Sequence, residues 1–297
     1  MLKKITVIGA GLMGSGIAQV AAEAGFSVTI NDAVPEALEK GINGIISRWN
    51  SKASKGKINE EKLEMFKNCL KGEEDFEKAA ADADLVIEAA TEKMEIKKVI
   101  FANLSKICRK DTIIASNTSS LSLTELASNI DIPERFIGTH FFSPVPAMKL
   151  LEVIPGLLTS GDTIDKTLEF GEKIGKVTIM AKDAPGFIVN RLVDPMMNDA
   201  IKMLDNGIGT VEAIDNGMKF GCGHPMGPLE LADMAGVDVL YYAMKGFYDY
   251  SNDPFFAPAT LLKKMVLSGF LGKKVGKGFY IYNEDGTKYP NPAINKL

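Results

Sequence analysis

One of the two histidines in this 297-residue sequence lies in a segment that could carry out proton transfer. The segment, GTHFFSPVPAMKLLEVI (138–154), contains His140 and, after a Ser-Pro-Val-Pro bend, Glu152. Imidazole has an ordinary pKa of roughly 6.5, so it can take a hydroxyl proton near neutral pH. A carboxylate behind it would fix its tautomer and stabilise its protonated form. Apolar neighbours of Glu152 suggest partial burial, and a buried glutamate needs a partner.

The two histidines differ in their sequence context. His140 ends the strand-like run ERFIGTHFF (134–142), at the side of an open α/β sheet where ligands bind. His224 precedes a proline in the glycine-rich turn GCGHPMGPLE, and we predict a structural role for it. The alternative for the first segment is a ring packed for volume beside a surface glutamate on an edge strand.

A glycine loop near the N-terminus predicts a dinucleotide site. It follows the apolar run KKITVIG, opens a helical stretch, and consists of Gly9, Ala10, Gly11, Leu12, Met13 and Gly14. The glycines permit a tight turn, close approach of a pyrophosphate and close helix–sheet packing. Asp32 ends the second strand and could accept hydrogen bonds from an adenosine ribose, and no arginine follows it. We therefore predict NAD(H) rather than NADP(H); a turn without ligand and an FAD site are the alternatives.

A third polar segment, ASNTSSLSLTEL (115–126), follows a buried strand. Its hydroxyls and amide would lie at the carboxyl edge of the sheet. There they could hydrogen-bond a substrate oxygen or a nicotinamide carboxamide. The alternative is that Ser and Thr cap the next helix.

Composition excludes several classes of function. The net charge of −4, from 34 basic and 38 acidic residues, argues against a nucleic-acid partner. Cys69, Cys108 and Cys222 show no disulfide or metal-ligand spacing, which favours a reducing cytoplasm and predicts no bound metal. No apolar run reaches the roughly 18 residues of a membrane span, so we predict no membrane partner.

The order of elements predicts an α/β protein of two domains. Short apolar runs alternate with helical stretches through residues 1–183, which indicates a Rossmann-type, doubly wound, mostly parallel sheet. Residues 35–69 are too long for one crossover helix, and we predict an inserted helical hairpin there. From residue 184 to 297 strand signals nearly vanish, which predicts an all-helical domain with helices over 186–206, 210–220, 228–250 and 258–269. Its apolar helices either bury a large core or dock on a partner subunit.

Taken together, the motifs resemble the 3-hydroxyacyl-CoA dehydrogenase family in its short, monofunctional form. They run in order along the chain as GAGLMGSGIAQ, SNTSSL, GTHFFSPVPAMKLLEVI, KDAPGFIVNRL, GHPMGPLELAD and GKKVGKGFYIY. The resemblance implies reversible NAD-dependent oxidation of an (S)-3-hydroxyacyl-CoA to the 3-ketoacyl-CoA, with 3-hydroxybutyryl-CoA and acetoacetyl-CoA as the expected pair. It also implies a homodimer formed through the helical portion.

The resemblance further implies roles for individual residues. His140 matches the family's catalytic base and Glu152 its carboxylate partner, while Ser119 matches the serine that hydrogen-bonds the reacting oxygen. Asn190 matches the asparagine that positions the substrate. Besides the glycine loop and Asp32, the positions where the family contacts NAD are Glu92, Lys97, Asn117, Ser119 and Lys274. The family motif usually has asparagine where this chain has Ser143, so no role is carried over to that side chain.

Basic residues of the inserted hairpin are candidates for binding coenzyme A phosphates. Arg48, Lys52, Lys55 and Lys57 fall within ten residues of a slightly acidic chain. The alternative is an ordinary solvated helix face. Two other functions stay open: a dehydrogenase of a free 3-hydroxy acid or sugar acid, and a non-catalytic NAD-binding protein.

Overall fold

The structure is a computed structural model that describes residues 2–294. The chain divides into two compact units, Met1–Phe187 and Ile188–Leu297. Each unit has its own hydrophobic core.

The first unit alternates strands and helices. Its strands are β1 (Lys4–Ile8), β2 (Ser27–Asn31), β3 (Leu70–Gly72), β4 (Leu85–Glu88), β5 (Ile113–Ser116), β6 (Phe136–Phe141), β7 (Leu150–Pro155) and β8 (Val177–Met180). Its helices are α1 (Leu12–Glu23), α2 (Pro35–Ser54), α3 (Glu60–Asn68), α4 (Phe76–Ala80), α5 (Met94–Ile107), α6 (Leu123–Ala127) and α7 (Gly161–Lys173). The predicted alternation is confirmed. The sequence analysis did not find β3 and α4, which have three and five residues and are too short for a periodic signal.

The eight strands form one sheet in the order β3-β2-β1-β4-β5-β6-β7-β8. Neighbours from β3 to β6 are parallel, β7 is antiparallel to β6, and β8 is parallel to β7. The first six strands have the order of a doubly wound nucleotide-binding sheet. The carboxyl ends of β1, β4, β5 and β6 therefore meet at one edge, where the crevice of such sheets holds its ligand.

Alternate residues of the central strands face two separate cores. One core contains Ile5, Ile87 and Ile137, and the other contains Val86, Phe136 and Ile154. Because side chains alternate across a sheet, burial of both faces explains why these strands are almost continuously apolar.

The inserted hairpin packs against α1. Trp49 of α2 and Phe66 of α3 lie with ring centroids 5.6 Å apart, and the Trp49 indole N–H donates to Glu23 of α1 at 2.8 Å. The predicted insertion over about 35–69 is thus the pair α2 and α3, which meet at the turn near Gly56.

The second unit is a helical assembly with one small hairpin. Its helices are α8 (Val189–Asp205), α9 (Val211–Gly221), α10 (Pro228–Ala235), α11 (Val237–Ser251) and α12 (Thr260–Leu267). The hairpin consists of β9 (Tyr280–Tyr282) and β10 (Lys288–Pro290), which the sequence analysis did not predict. The single helix expected over 228–250 is interrupted at Gly236, whose φ of 105° no helix accommodates.

In the part of the chain that the structure describes, no helix combines the length and the hydropathy needed to cross a bilayer.

Candidate active site

His140 and Glu152 face each other directly across two antiparallel strands. The register of β6 and β7 pairs His140 with Glu152, so both side chains lie on the same face of the sheet. His140 Nδ1 is 2.6 Å from Glu152 Oε2, and the two residues are 5% and 0% exposed. An ionised carboxylate only accepts hydrogen bonds, so the proton of the neutral ring lies on Nδ1. The opposite nitrogen, Nε2, is then the acceptor that a reactant hydroxyl would meet.

Two polar side chains hold the backbone on either side of the turn after His140. Asn117, which follows β5, accepts a hydrogen bond from the Phe141 N–H at 3.0 Å. The buried Lys176 ammonium donates to the carbonyl oxygens of Val145 and Met148 at 2.5 and 2.6 Å. Burial lowers the pKa of Lys176. These bonds fix the entry and exit of the turn that joins β6 to β7.

The glycine loop is shaped by close contacts that exclude larger residues. Gly9 has a φ of 103°, and a Cβ there would meet the Ala89 carbonyl oxygen at 2.7 Å. A Cβ on Gly14 would lie 1.8 Å from the Gly9 oxygen, whereas one on Gly11 would meet no protein atom within 4 Å. Within residues 2–294 no side chain caps the N-terminus of α1. The open space at Gly11 and the free helix N–H groups fit a bound pyrophosphate.

Asp32 orients the same loop. Its carboxylate accepts the Ala10 N–H at 2.7 Å and the Val34 N–H at 2.9 Å. The acid therefore lies immediately beside the glycine turn, where a ribose hydroxyl would meet it. Leu12 of the same loop is largely exposed, and Met13 is partly buried.

Glu92 gathers the polar loop that follows β5. One carboxylate oxygen accepts the Thr118 hydroxyl at 2.5 Å and the Ser119 N–H at 2.8 Å, and lies 3.4 Å from the Ser119 hydroxyl. Desolvation alone would raise the pKa of Glu92, but the charge of Lys97 and these hydrogen bonds outweigh it and lower the pKa. The structure thus brings Glu92 and Ser119 together.

Lys97 lies beneath this loop in a buried ion pair. Its ammonium is 2.6 Å from one oxygen and 2.7 Å from the other oxygen of Glu88, and 3.4 Å from Glu92. Ser116 donates its hydroxyl to Glu88 at 2.9 Å. With Lys97 only 1% exposed and Glu88 fully buried, the pair connects the ends of β4 and β5 to α5.

Among residues 2–294, no three His, Cys, Asp or Glu side chains converge in a way that could hold a metal ion.

Comparison with known families identifies the family of the chain. A model of the 3-hydroxyacyl-CoA dehydrogenase NAD-binding domain matches residues 4–184, and a model of the C-terminal domain of the same family matches residues 186–282. The chain belongs to the 3-hydroxyacyl-CoA dehydrogenase family. It is therefore an NAD-dependent oxidoreductase, and the predicted cofactor, NAD(H), is confirmed.

Individual members of the family match along nearly the full chain. A probable 3-hydroxybutyryl-CoA dehydrogenase of Bacillus subtilis is 46% identical over 283 residues, covering 95% of this chain and 98% of that protein. The 3-hydroxybutyryl-CoA dehydrogenase of Bradyrhizobium diazoefficiens is also 46% identical, over 95% of this chain and 96% of its own length. The crystal structure of (S)-3-hydroxybutyryl-CoA dehydrogenase from Ralstonia eutropha superposes with a TM-score of 0.93 at 41% identity, covering 96% of this chain and all of that one.

The structure gives protein partners to three residues of this dehydrogenase that are predicted to contact ligands. The Lys97 ammonium lies between two glutamates. Arg48 donates to Gln19 at 2.6 Å and Lys52 pairs with Glu23 at 2.7 Å, so both tie α2 to α1. Their contacts with the cofactor and with CoA phosphates stay predictions.

The remaining residues of the basic group stay candidates for phosphate binding. Lys55 and Lys57 are exposed at the tip of the hairpin, and neither forms an ion pair within residues 2–294.

Two predicted site residues belong to the second unit. Asn190 lies in the first turn of α8 and is partly exposed. Lys274 pairs with Asp238 of α11 at 2.5 and 2.7 Å. Their contacts with substrate and cofactor remain predictions.

Sequence reasoning missed Glu88. This acid ends the buried run DLVIEAA, and an acidic residue at the carboxyl end of a buried strand was the available signal. Ser143 is exposed and precedes a cis peptide bond to Pro144.

Proposed function

We propose that this dehydrogenase interconverts (S)-3-hydroxybutyryl-CoA and acetoacetyl-CoA, with His140 as the general base. The observation that carries the proposal is the 2.6 Å contact between His140 Nδ1 and the buried Glu152 carboxylate. The substrate follows from relatives of the same length, named 3-hydroxybutyryl-CoA dehydrogenases, that are 46% identical.

The proposed oxidation divides into a proton transfer and a hydride transfer. His140 Nε2 takes the proton of the substrate hydroxyl, and Glu152 stabilises the resulting imidazolium through Nδ1. NAD⁺ supplies the hydride acceptor, so the C–H electrons leave as the carbonyl forms. In the reverse direction, the protonated His140 returns its proton to the ketone oxygen.

Ser119 is proposed to hold the reacting oxygen. Its hydroxyl lies on the loop that Glu92 organises, at the same sheet edge as His140. A hydroxyl aimed at an oxygen that gains charge stabilises the transition state more than the ground state. Asn190 and Lys274 are proposed to contact the substrate and cofactor as the family resemblance implies.

We also propose that Asp32 gives the preference for NAD(H). Its carboxylate beside the glycine loop would accept hydrogen bonds from a ribose and repel a 2′-phosphate.

A homodimer through the C-terminal unit is part of the proposal. Helices α8 and α9 border a largely apolar hollow of about 430 Å³. Its lining includes Met196, Met203, Ile208 and Met218, and the nearby Phe220 is 82% exposed. Apolar side chains that stay exposed side by side on neighbouring helices are often found at subunit interfaces. Analytical ultracentrifugation should show a dimer at micromolar concentration, and a monomer there would contradict this part of the proposal.

We place the enzyme in the cytoplasm, because its three cysteines are unpaired in the structure.

The decisive experiment follows the nicotinamide absorbance of NADH mixed with purified protein and acetoacetyl-CoA. We expect oxidation of NADH with acetoacetyl-CoA, little with free acetoacetate and slower use of NADPH. Turnover of the free acid at the rate of the thioester would favour the alternative class of enzyme. No oxidation anywhere between about pH 5 and 8, the range in which an ordinary imidazole changes charge, would refute the proposal.

The same assay tests the base through a matched pair of variants. His140→Gln should lose on the order of 10²–10⁴-fold in kcat, whereas His224→Gln, which changes the other histidine, should keep the wild-type rate. Near-native turnover by His140→Gln would show that another group is the base.

A further inference from the structure

Two phenylalanine rings pack against the His140 imidazole. The Phe142 ring centroid is 4.5 Å from the imidazole centroid and the Phe187 centroid is 5.5 Å from it, each with an interplanar angle of 58°. These are ordinary separations for aromatic pairs. Phe142 is two residues from His140 along the same strand direction, whereas Phe187 arrives from the far end of the unit.

The hydrogen bond to Glu152 does not by itself fix the imidazole. A single contact at Nδ1 selects the tautomer, but the ring can still tilt about that contact and swing Nε2 away from the reactant. Groups packed against the ring limit that freedom. The two phenylalanine rings therefore restrict the ring where the hydrogen bond does not.

The backbone of Phe187 is strained in order to place its ring. Its φ is 47°, in the left-handed region, and apart from Phe187 only Asn252 among the described non-glycine residues has a positive φ. For a bulky residue this conformation is costly and persists only where the surroundings enforce it. The preceding Gly186 also has a positive φ, and the Phe187 N–H donates to the Ala184 carbonyl at 2.9 Å.

The Phe187 ring is buried on the face of the sheet that carries His140 and Glu152. It is 5% exposed and belongs to the core that contains Phe136 of β6 and Ile154 of β7. Because side chains alternate along a strand, Phe136 lies on the same face as His140, and Ile154 on the same face as Glu152. A glycine at position 187 would relieve the backbone strain but would leave a void against the imidazole. Position 187 therefore has an aromatic residue in a strained conformation, although a glycine could adopt the same backbone conformation without strain.

We propose that Phe187, together with Phe142, is a positioning residue that holds the His140 ring with Nε2 directed at the reactant. The inference rests on the proposed function, because it assigns a task to side chains around the proposed base. In this role Phe187 acts through the histidine.

The kinetic test compares three variants. Phe187→Leu keeps an apolar side chain but removes the ring, Phe187→Tyr keeps the ring, and Phe170→Leu makes the same change at a buried ring of α7 that pairs with Phe26 at 5.4 Å. Because misplacement of a catalytic group by about 1 Å can cost on the order of 100-fold, we expect Phe187→Leu to lose at least about tenfold in kcat. KM for acetoacetyl-CoA and NADH should change by less than about twofold, and Phe187→Tyr and Phe170→Leu should keep most of the wild-type kcat.

A second measurement observes the imidazole without turnover. In protein labelled with ¹⁵N at histidine, only two imidazoles contribute signals, and His224→Gln assigns them. The wild-type His140 should show sharp signals of one Nδ1-protonated tautomer, and Phe187→Leu should keep this tautomer but show broadened signals, because the ring can then tilt. Phe170→Leu should leave the signal unchanged.

Three results would overturn the proposal: wild-type kcat in Phe187→Leu, an equal loss in Phe170→Leu, or a loss of kcat with an unchanged His140 signal. The measurement also separates this proposal from the proposed function. An inactive wild-type enzyme would refute the function, while the ¹⁵N signals would still report whether Phe187 holds the ring.

Discussion

The two units of the molecule bury acidic side chains with different partners. In the first unit, Glu88 faces the ammonium of Lys97 and Glu152 faces the imidazole of His140. In the second unit, Asp215 and Asp233 face neutral donors instead: backbone N–H groups and tyrosine hydroxyls.

The buried aspartates of the second unit connect its parts. Asp215 accepts the N–H groups of Leu229 and Glu230 and the Tyr280 hydroxyl at 2.8, 3.1 and 2.7 Å. Burial raises its pKa despite these bonds. Asp233 binds two backbone N–H groups and a hydroxyl of the segment around β9, and burial raises its pKa to about 6.

The difference shows two uses of a buried carboxylate. A partner that is cationic, as the Lys97 ammonium is, or that becomes cationic when it takes a proton, as the His140 imidazole would, stabilises the charged form of the acid. Neutral donors satisfy the oxygens without supplying an opposite charge, so these aspartates fasten backbone segments together. Four measurements test this distinction.

The largest effect is expected at the catalytic pair. Glu152→Gln replaces the charge behind the imidazole with an amide that cannot stabilise an imidazolium. We expect kcat to fall on the order of 10²–10⁴-fold. Glu169→Gln, at an exposed glutamate of α7, is the control and should leave the rate unchanged. A fall of less than about threefold in Glu152→Gln would remove the carboxylate from the mechanism.

The next largest effect is expected at the buried ion pair of the first unit, as a loss in the free energy of unfolding. Lys97→Met leaves the fully buried Glu88 without its counter-charge. Losing one partner of a buried pair costs about 3–5 kcal/mol, which urea denaturation would measure as a lower free energy of unfolding. The neighbouring Lys98→Met removes a lysine that pairs at the surface with Glu125 and should change the free energy of unfolding little, because water screens an exposed pair. Equal losses in both variants would contradict the assignment of Lys97 as the interior partner.

The pH dependence of stability tests the second unit. Burial raises the pKa of Asp194 to about 7, and no hydrogen bond or ion pair to its side chain is present within residues 2–294. Because the folded pKa is above the ordinary value of 3.8, the folded state holds a proton that the unfolded state has lost. The stabilising contribution of Asp194 is thus complete below about pH 4 and is lost as the pH rises to about 7.

Asp194→Asn should abolish this loss. Relative to wild type, its free energy of unfolding should increase between pH 5 and pH 8 by about 3 kcal/mol, because about two pH units of this range lie below the folded pKa of about 7. Urea titrations at the two pH values measure the change, with Asp249→Asn at an exposed position of α11 as control. A wild-type pH profile in Asp194→Asn would contradict the raised pKa.

The smallest effect concerns one neutral donor of the second unit. Tyr280→Phe removes the hydroxyl that donates to Asp215 at 2.7 Å and keeps the ring. We expect a loss of about 1 kcal/mol in the free energy of unfolding, measured by thermal or urea denaturation. Tyr250→Phe, at a tyrosine that is 65% exposed, should be neutral. A loss as large as that of Lys97→Met would erase the distinction between charged and neutral partners.

Local sequence signals were sufficient for most of the fold. The glycine loop, the apolar strands and the helical stretches each carry their signal within a few residues, because periodicity and turn chemistry are local properties. Very short elements such as β3, and the hairpin of β9 and β10, carry too few residues for such a signal.

The site was predictable only in its residue types. The sequence indicated that His140 and Glu152 could act together and that Asp32 would lie beside the glycine loop. It did not indicate that the basic residues Arg48 and Lys52 pair with α1, because their partners are distant in sequence.

Residue identity by itself determined the chemistry available to this chain: a glycine turn open to phosphates, one histidine at a strand end and an acid able to serve it. The packed fold determined which groups meet, since the β6–β7 register aligns His140 with Glu152 and the cores bury Lys97 and bring in Phe187. The physical reason is that element type depends on neighbouring residues, whereas strand register, burial and side-chain partners depend on contacts between residues far apart in sequence.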